Sequence, residues 1–397
     1  MWRTRAGAAA FIQDDGKDKR MKIWICVLLM LGLMVGEVRA EMPADLAADG
    51  QAALARGAAW LAAQQQADGH WGSPETPALT ALAMWALHRA NPVEYQDAIA
   101  RAMVYVLTSV HEDGSIWRAP SMERRGGGLA NYNTAVCMSA LHALGRPELV
   151  PVIQKARTYL AKMQYLDDGI YRGGMGYDAE TGRAYADLSN SYMAYEAMRL
   201  TQDVEDLRAA GDPKADLDWG AVQEFLAQVQ NLPGVNTNSY VSDDADSRGG
   251  FAYTPGAGAA NTNAEGKVTL RSYGSMTYAG LLALIYAQVD ETDVRVQAAK
   301  DWAERHWSLD ENPGMGQEGL YYFFNVLTKS LKAAGDATLT LPDGRTVVWR
   351  EEVARKLVAL QKPDGHWVND NNRWWEAEPN LVTSYVLLSL ASALTPQ

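Results

Sequence analysis

Gln65-Gln66-Ala67-Asp68-Gly69-His70-Trp71, a glycine turn that ends in an aromatic residue, recurs near the other end of the chain as Gln361-Lys362-Pro363-Asp364-Gly365-His366-Trp367. Weaker copies lie between these two: Asp113-Gly114-Ser115-Ile116-Trp117, Asp168-Gly169-Ile170-Tyr171, Arg248-Gly249-Gly250-Phe251-Ala252-Tyr253, and Pro313-Gly314-Met315-Gly316 with Tyr321 and Tyr322. One glycine from each copy marks six turns at Gly69, Gly114, Gly169, Gly250, Gly314 and Gly365. A repeat of this length is typical of stacked supersecondary units that cannot bury their apolar faces alone.

Two helices of different character flank each turn. The helix before a turn is amphipathic, as in the spacing of Ile99, Met103 and Val106, which predicts an outer layer with a solvent face. The segment after a turn is apolar nearly all round (78–90, 134–144, 275–287 and 382–394), which predicts an inner helix buried on both sides. We place the turn glycine at the helix C′ position, where the backbone is left-handed. We interpret the aromatic residue as a packing plug between neighbouring units.

Six such hairpins predict an all-α fold, an α/α toroid with concentric inner and outer rings of helices. An open solenoid would need a polar cap, yet the last helix (381–394) is as apolar as the others, so we expect the ring to close. Two irregularities interrupt the pattern: a long loop insertion from Asn236 to Val268, and a small β-hairpin predicted within residues 338–348 around Pro342-Asp343-Gly344.

The composition is that of a folded, acidic protein. The chain has 397 residues, of which 48% are hydrophobic and 21% charged, which excludes a disordered chain and a multi-span membrane protein. The formal charge of −12 argues against nucleic acid as a partner. Two cysteines cannot form a disulfide framework, and we expect Cys137 to be buried.

Residues 1–40 have the layout of a leader. Met21 is the expected start, a 13-residue apolar run follows from Ile23 to Val35, and Val38-Arg39-Ala40 supplies the small residues of a cleavage site. The run is short for a membrane-spanning helix. We therefore expect cleavage after Ala40, export to the periplasm or the exterior, and no integral membrane span afterwards. The remaining residues, 41–397, are predicted to form one toroid domain.

The glutamine-rich helix end followed by Asp-Gly-x-Trp resembles the QW repeat of squalene and hopene cyclases. The six-unit layout resembles the prenyltransferase/squalene-oxidase repeat family, which shares the α/α toroid with the β subunits of protein prenyltransferases. Three segments look like a secreted bacterial branch of that family without an assigned reaction: 187–190, 270–278 and 312–321. The resemblance covers roughly residues 51–394. It implies a central cavity that holds an isoprenoid or another apolar ligand.

The catalytic motifs of that family are missing from this chain. A class II cyclase protonates an alkene with an Asp-x-Asp-Asp motif, whereas Asp243-Asp244-Ala245-Asp246 has the reverse order and lies in a loop. A prenyltransferase zinc site needs an Asp-x-Cys pair, and no Asp stands two residues before Cys137. We therefore expect neither a metal nor a cofactor.

The predicted site lies where the inner helices begin, because in a toroid these starts point at the central cavity. Aromatic residues mixed with a few polar groups are typical of a ligand pocket. As catalytic residues we name Asp187, Glu318 and Glu378, with Asp187 or Glu318 as the acid of an acid-initiated cyclisation. As ligand-binding residues we name Tyr132, Asn133, Asn190, Arg271, Tyr273, Tyr321, Tyr322, Trp375 and Asn380. Asp187, Ser189 and Asn380 are also good helix caps, so a structural role stays open for them.

Two other classes of function remain open at this point. A glycan-active toroid, lyase or hydrolase, would use a base or a pair of carboxylates beside stacking aromatics, and Glu376, Glu378, Trp374 and Trp375 supply those residue types. A ring that only binds a peptide or a partner protein would need no acid at all, since repeat surfaces often serve interaction.

Overall fold

Twelve α-helices alternate between two layers in the part of the chain that the computed structural model describes, residues 42–120, 128–178, 185–242, 244–256, 260–262, 266 and 268–395. The predicted leader lies outside the described residues. In chain order the helices are α1 (Ala44–Ala63), α2 (Pro77–Ala90), α3 (Gln96–Leu107), α4 (Ala130–Ala143), α5 (Val150–Met163), α6 (Leu188–Leu200), α7 (Trp219–Val229), α8 (Gly274–Tyr286), α9 (Val294–Arg305), α10 (Leu320–Ala334), α11 (Trp349–Leu360) and α12 (Pro379–Leu394).

The even-numbered helices form the closed inner ring. Each contacts the next even-numbered helix, from α2 round to α12, and α12 in turn contacts α2. The first outer helix, α1, packs against both α11 and α12, so the first and last hairpins are neighbours. The predicted α/α toroid is confirmed, and its closure buries the apolar faces of α12 as the sequence required.

Turn glycines hold neighbouring hairpins together. A Cβ atom added at Gly69 would lie 2.6 Å from the carbonyl oxygen of Arg101 in α3, and one at Gly365 would lie 2.8 Å from that of Arg56 in α1. The same approach to the backbone of the next outer helix is closer still at Gly114, Gly173 and Gly249. All five glycines have left-handed φ values between 92° and 107°. Only glycine fits this joint on both counts.

Three details of the predicted turn are wrong. The glycine is not at C′, because α1 ends at Ala63 and Gly69 lies six residues further on, inside a turn closed by the Gly69 N–H donating to the Gln66 carbonyl. The glycines equivalent to Gly69 are Gly173 and Gly249, not Gly169 and Gly250. In the fifth turn, Gly314 packs against Tyr273 at the start of α8 instead of an outer helix.

The glutamine of the motif ties its turn to the next outer helix. Gln65 Nε2 donates to the carbonyl oxygens of Gly69 (3.0 Å) and Ala98 (2.9 Å). Gln361 Nε2 donates in the same way to Gly365 and Ala53, both at 2.8 Å, and so joins the last turn to α1. The repeated glutamine is therefore a structural brace.

The aromatic plug is confirmed in the two strongest copies and wrong in two others. Trp71 and Trp367 are fully buried, and each indole N–H donates to a helix carbonyl. The backbone N–H of Trp71 donates to a hydroxyl on the next inner helix. In the second and third turns the residues that make this hydrogen bond are Ile116 and Met175, so these two buried side chains take the place of Trp71. Trp117 and Tyr171, predicted as plugs, are only half-buried.

The strands are few and short. The predicted hairpin is confirmed as β3 (Leu339–Thr340) paired antiparallel with β4 (Thr346–Val347). A second hairpin, which the sequence did not indicate, pairs β1 (Ala260–Thr262) with β2 (Val268–Leu270) at the end of the long insertion. Cys137 is fully buried, as expected.

Among the described helices, none combines the length and the apolar composition needed to cross a lipid bilayer.

Candidate active site

A cavity of about 370 Å³ lies at the end of the toroid where the inner helices begin. Every inner helix contributes to its wall, with Leu79 from α2, Tyr132 from α4, Met193 from α6, Met276 from α8, Tyr322 from α10 and Tyr385 from α12. The prediction that these helix starts surround one hollow is therefore confirmed. Ring closure creates the space, since no single hairpin could enclose it.

Tyrosines dominate the wall, namely Tyr132, Tyr177, Tyr253, Tyr273, Tyr322 and Tyr385. Burial raises the pKa of every one of them, that of Tyr132 to about 12, so all six stay neutral at physiological pH. Several hydroxyls are held by neighbours, as in the 2.8 Å hydrogen bond between Tyr322 and the Ser189 hydroxyl. The wall therefore presents fixed, uncharged aromatic faces to a ligand.

Asp187 lies behind this wall and is fully buried. It is the N-cap of α6: Oδ1 accepts from the Asn190 backbone N–H and Oδ2 from the Asn190 side-chain Nδ2, both at 2.8 Å. Burial raises the pKa of Asp187 to about 7, although the hydrogen bonds from Asn190 and the nearby Tyr253 hydroxyl favour the charged form. Near neutral pH the carboxyl is thus divided between its acid and its carboxylate.

Tyr253 connects the buried acid to the cavity. Its hydroxyl is close enough to the Asp187 carboxyl to lower the pKa of that acid, and it lies 3.1 Å from the hydroxyl of Tyr177. The loop around it is fixed to the start of α6, because the Leu188 N–H donates to the Tyr253 carbonyl (2.7 Å) and the Thr254 hydroxyl donates to the Ala186 carbonyl (2.8 Å). Tyr253 and Tyr177 both line the cavity, and Tyr177 is 37% exposed. The hydroxyls of Tyr253 and Tyr177 therefore lie between the acid and the mouth of the cavity.

The mouth of the cavity carries unusual backbone. Leu129, Trp374 and Trp375 have left-handed φ values of 54°, 54° and 67°, and all three line the cavity. Among the residues that the structure describes, Gln288, which does not line the cavity, is the one other non-glycine residue with a left-handed φ. Such a conformation costs on the order of 1–3 kcal/mol per residue and persists where the surroundings enforce it. Three of the four such residues in the described part of the chain thus line this one cavity.

Glu376 fixes the conformation of the loop that carries Trp374 and Trp375, between α11 and α12. It is 1% exposed, and its Oε1 accepts from the Tyr322 N–H at the start of α10 (2.7 Å) while its Oε2 accepts from Asn369 Nδ2 (2.7 Å). Burial raises the pKa of Glu376, against the effect of these hydrogen bonds. The carboxyl therefore acts as a brace beneath Trp374 and Trp375.

Four of the predicted ligand-binding residues line the cavity: Tyr132, Tyr273, Tyr322 and Trp375. Three predicted polar residues instead hold helix starts. Asn133 Oδ1 accepts from the Ala78 N–H in α2 (3.0 Å), Asn190 bonds to Asp187, and Asn380 Nδ2 donates to Glu378 (2.7 Å). Glu378 itself is the N-cap of α12, accepting from the Asn380 N–H.

The remaining predicted residues lie outside the cavity wall. Arg271 stands beside Tyr273, its guanidinium carbon 6.0 Å from that ring, with Nη2 directed at the Met315 sulfur (2.7 Å). Tyr321 is 4% exposed and packs edge-on against Phe324 in the core. Glu318 is half-buried in the turn before α10 and does not face the cavity.

Sequence reasoning missed several residues of the wall. Tyr177 and Tyr253 come from turns and long loops, where periodicity says nothing about direction. Tyr385 and Met193 lie on inner helices that are apolar all round, so no pattern marks the side that faces the cavity. Glu75 and Arg118, also at the wall, come from the loops before α2 and α4. In the described part of the chain, no three His, Cys, Asp or Glu side chains converge to hold a metal ion.

Solved structures of other proteins share this architecture. The type II terpene cyclase MstE from Scytonema matches with a TM-score of 0.52 at 13% identity, over 88% of this chain and 98% of its own. An arginine-to-alanine variant of MstE in complex with its substrate geranylgeranyl dihydroxybenzoate gives a TM-score of 0.50 at 12% identity, over 89% and 99% of the two chains. The GH76 α-mannanase of Bacteroides thetaiotaomicron gives 0.54 at 9% identity, over 86% and 95%.

At such identities the shared property is the fold alone. No protein-family model matches the chain, and no curated protein matches its sequence. Fold and site together define a class: an α/α toroid with a tyrosine-lined cavity and a buried acid behind its wall. The same architecture carries a terpene cyclase and a glycosidase, so the reaction must be argued from the residues.

Proposed function

We propose that this protein binds an isoprenoid, or a similarly apolar unsaturated ligand, in the toroid cavity and begins its cyclisation by proton transfer. The observation that carries the proposal is the fully buried Asp187 carboxyl beside a cavity lined mainly by neutral tyrosines and apolar side chains. A carboxylic acid that keeps its proton near neutral pH suits general acid catalysis.

The acid would act through Tyr253, because Tyr253 lines the cavity and Asp187 does not. Tyr253 donates its hydroxyl proton to one carbon of a ligand double bond and accepts the proton of Asp187 in return. The π electrons form the new C–H bond, and the other carbon becomes a cation that an internal alkene attacks. A proton lost from the final cation restores Asp187, so the reaction is an isomerisation that needs no further reactant.

The tyrosine wall would stabilise the cationic intermediates. The faces of Tyr132, Tyr273, Tyr322 and Tyr385 carry the negative part of the ring quadrupole, and cation–π contacts of this kind are worth about 0.5–2 kcal/mol each. Their raised pKa values keep the hydroxyls from becoming nucleophilic phenolates. Asn190 fixes the carboxyl that supplies the proton.

A glycan-active site has less support. Glycosidases need two carboxyl groups about 5–10 Å apart across the bond that is cut. Among the described residues, the cavity wall holds one carboxylate, Glu75, while Glu376 and Glu378 are engaged at the starts of α10 and α12. A toroid that only binds its ligand would have the same cavity but would form no product.

The experiment that tests the proposal presents two kinds of probe to the purified protein. Farnesol and geranylgeraniol are compared with mannobiose, binding is measured by calorimetry, and products are identified by gas chromatography with mass spectrometry. We expect the prenyl alcohols to bind and a product isomeric with one of them to form. Binding without any product would support the toroid that only binds its ligand. Binding of mannobiose alone would overturn the isoprenoid assignment.

Tyr253→Phe is expected to raise the pKa of Asp187 further. The substitution removes the hydroxyl whose interaction with the carboxylate favours the charged form of the acid. The measurement is a pH titration of the carboxyl infrared band, identified as the band that is lost in Asp187→Asn. Tyr177→Phe is the control, because Tyr177 contacts Tyr253 rather than the acid, and it should leave the midpoint nearly unchanged. An unshifted midpoint in Tyr253→Phe would disconnect Tyr253 from the acid.

A further inference from the structure

We infer that Trp374 and Trp375 form a rigid binding surface for the head of an amphipathic ligand, a flat ring attached to a prenyl chain that occupies the cavity. The part that concerns the prenyl chain of the ligand rests on the proposed function. The part that concerns its flat ring rests only on the residues at the mouth of the cavity. It assigns the two ends of the ligand to two different parts of the site.

The first argument is the combination of exposure and strain. Trp374 and Trp375 are 44% and 41% exposed at the wall of the cavity, and both have left-handed backbone. Large aromatic side chains in this conformation are genuine outliers. Strained residues of this kind cluster at ligand clamps, where the conformation serves binding.

The second argument is the rigidity of the loop that carries them. The buried Glu376 ties the loop to α10 and to Asn369, and Asn369 Nδ2 also donates to the Gln317 carbonyl (2.8 Å). Trp374 packs on Gly319, where an added Cβ would lie 2.9 Å from the indole ring. Indoles held in place before binding lose little entropy when a ligand arrives.

The third argument concerns the chemistry of the ligand. Inside, the wall is tyrosine, leucine and methionine, which suits a hydrocarbon chain. The wall also carries the charged side chains Glu75 and Arg118, from the loops before α2 and α4. Indole faces stack on flat rings, and the charged groups can meet polar substituents on such a ring. The mouth therefore suits a polar ring, and the interior suits its prenyl substituent.

The test compares probes that differ only in the head. Farnesyl phenyl ether carries the ring, farnesol lacks it, and p-cresol and methyl α-mannoside are rings without a chain. Affinities are measured by calorimetry for the wild type, for Trp374→Ala with Trp375→Ala, and for the conservative Trp374→Phe with Trp375→Phe. The sequence has 13 tryptophans. Subtracting the fluorescence of the double alanine variant from that of the wild type isolates the signal of Trp374 and Trp375.

In the wild type we expect farnesyl phenyl ether to bind at least about tenfold more tightly than farnesol and to quench the difference fluorescence. The double alanine variant should lose this preference and keep its affinity for farnesol. The double phenylalanine variant should retain most of the preference for farnesyl phenyl ether. An equal loss for both probes, or a preference that survives in the alanine variant, would overturn the inference. So would quenching by methyl α-mannoside with none by p-cresol. If neither prenyl probe binds but p-cresol still quenches, the proposed function fails and the ring surface stands.

Discussion

Asp187→Asn is expected to lower the rate of product formation by at least about 100-fold, the lower end of what a general acid contributes. Asparagine has the shape of the protonated acid but holds no transferable proton. Its oxygen can still accept from the Asn190 N–H, so the cap of α6 survives. The measurement is the initial rate with whichever prenyl probe the wild type converts. Asn190→Ala, which keeps the acid and removes one of its supports, should have a smaller effect.

Stability against pH separates this catalytic role from a structural one. The pKa of Asp187 is about 7 in the folded protein and 3.8 as the ordinary value, so between these pH values the folded state holds a proton that the unfolded state has lost. By linkage, stability falls as pH rises through that window. Asp187→Asn lacks this loss, so relative to the wild type it should gain stability in urea between pH 4 and pH 8. A variant that fails to fold at pH 8 would mean that capping, not acidity, explains the residue.

Gly173→Ala is expected to destabilise the protein by about 2–5 kcal/mol, or to prevent folding. Its φ of 92° is left-handed, which costs a residue with a Cβ roughly 1–2 kcal/mol. The added Cβ would also collide with the backbone carbonyl of Ala221 in α7, and overpacking of this kind costs typically 1–3 kcal/mol. The collision is with main chain, which no rotamer change can relieve. The free energy of unfolding in urea is the quantity to measure.

Gly169→Ala is the matched control, four residues earlier in the same turn. Gly169 also has a left-handed φ, 147°, but a Cβ there would meet no atom within 4 Å. Its substitution should carry the conformational cost alone, about 1–2 kcal/mol. If the two variants proved equally destabilised, the contact with the next outer helix would not hold the hairpins together.

Helix type and order could be predicted because they depend on local pattern. The Asp-Gly-His-Trp turns at Gly69 and Gly365 and their weaker copies, with amphipathic helices before and apolar helices after, were enough to predict six hairpins and a closed ring. The errors lie where a contact crosses between hairpins. Gly173 is distinguished from Gly169 by Ala221, a residue 48 positions further along the chain, and no local pattern records that approach.

The candidate site divides in the same way. Tyr132, Tyr273, Tyr322 and Trp375 follow from their position at the helix starts, and all four line the cavity. Asn133, Asn380 and Glu378 share that position, yet Asn133 and Glu378 accept from backbone N–H groups at the helix starts and Asn380 donates to Glu378. Unsatisfied N–H groups of this kind occur at the start of every helix. Position alone cannot tell a wall residue from a cap.

By itself, the sequence determined the periodic parts of this protein, since burial repeats along a helix with a period that residue types display directly. The tertiary structure alone decided that Tyr253, 66 residues beyond Asp187, lies beside that acid, and that two strained tryptophans stand at the mouth. Both depend on where loops from different hairpins meet once the ring has closed. Such meetings are set by the packing of the whole toroid, because irregular loops carry no repeating pattern that would reveal their direction.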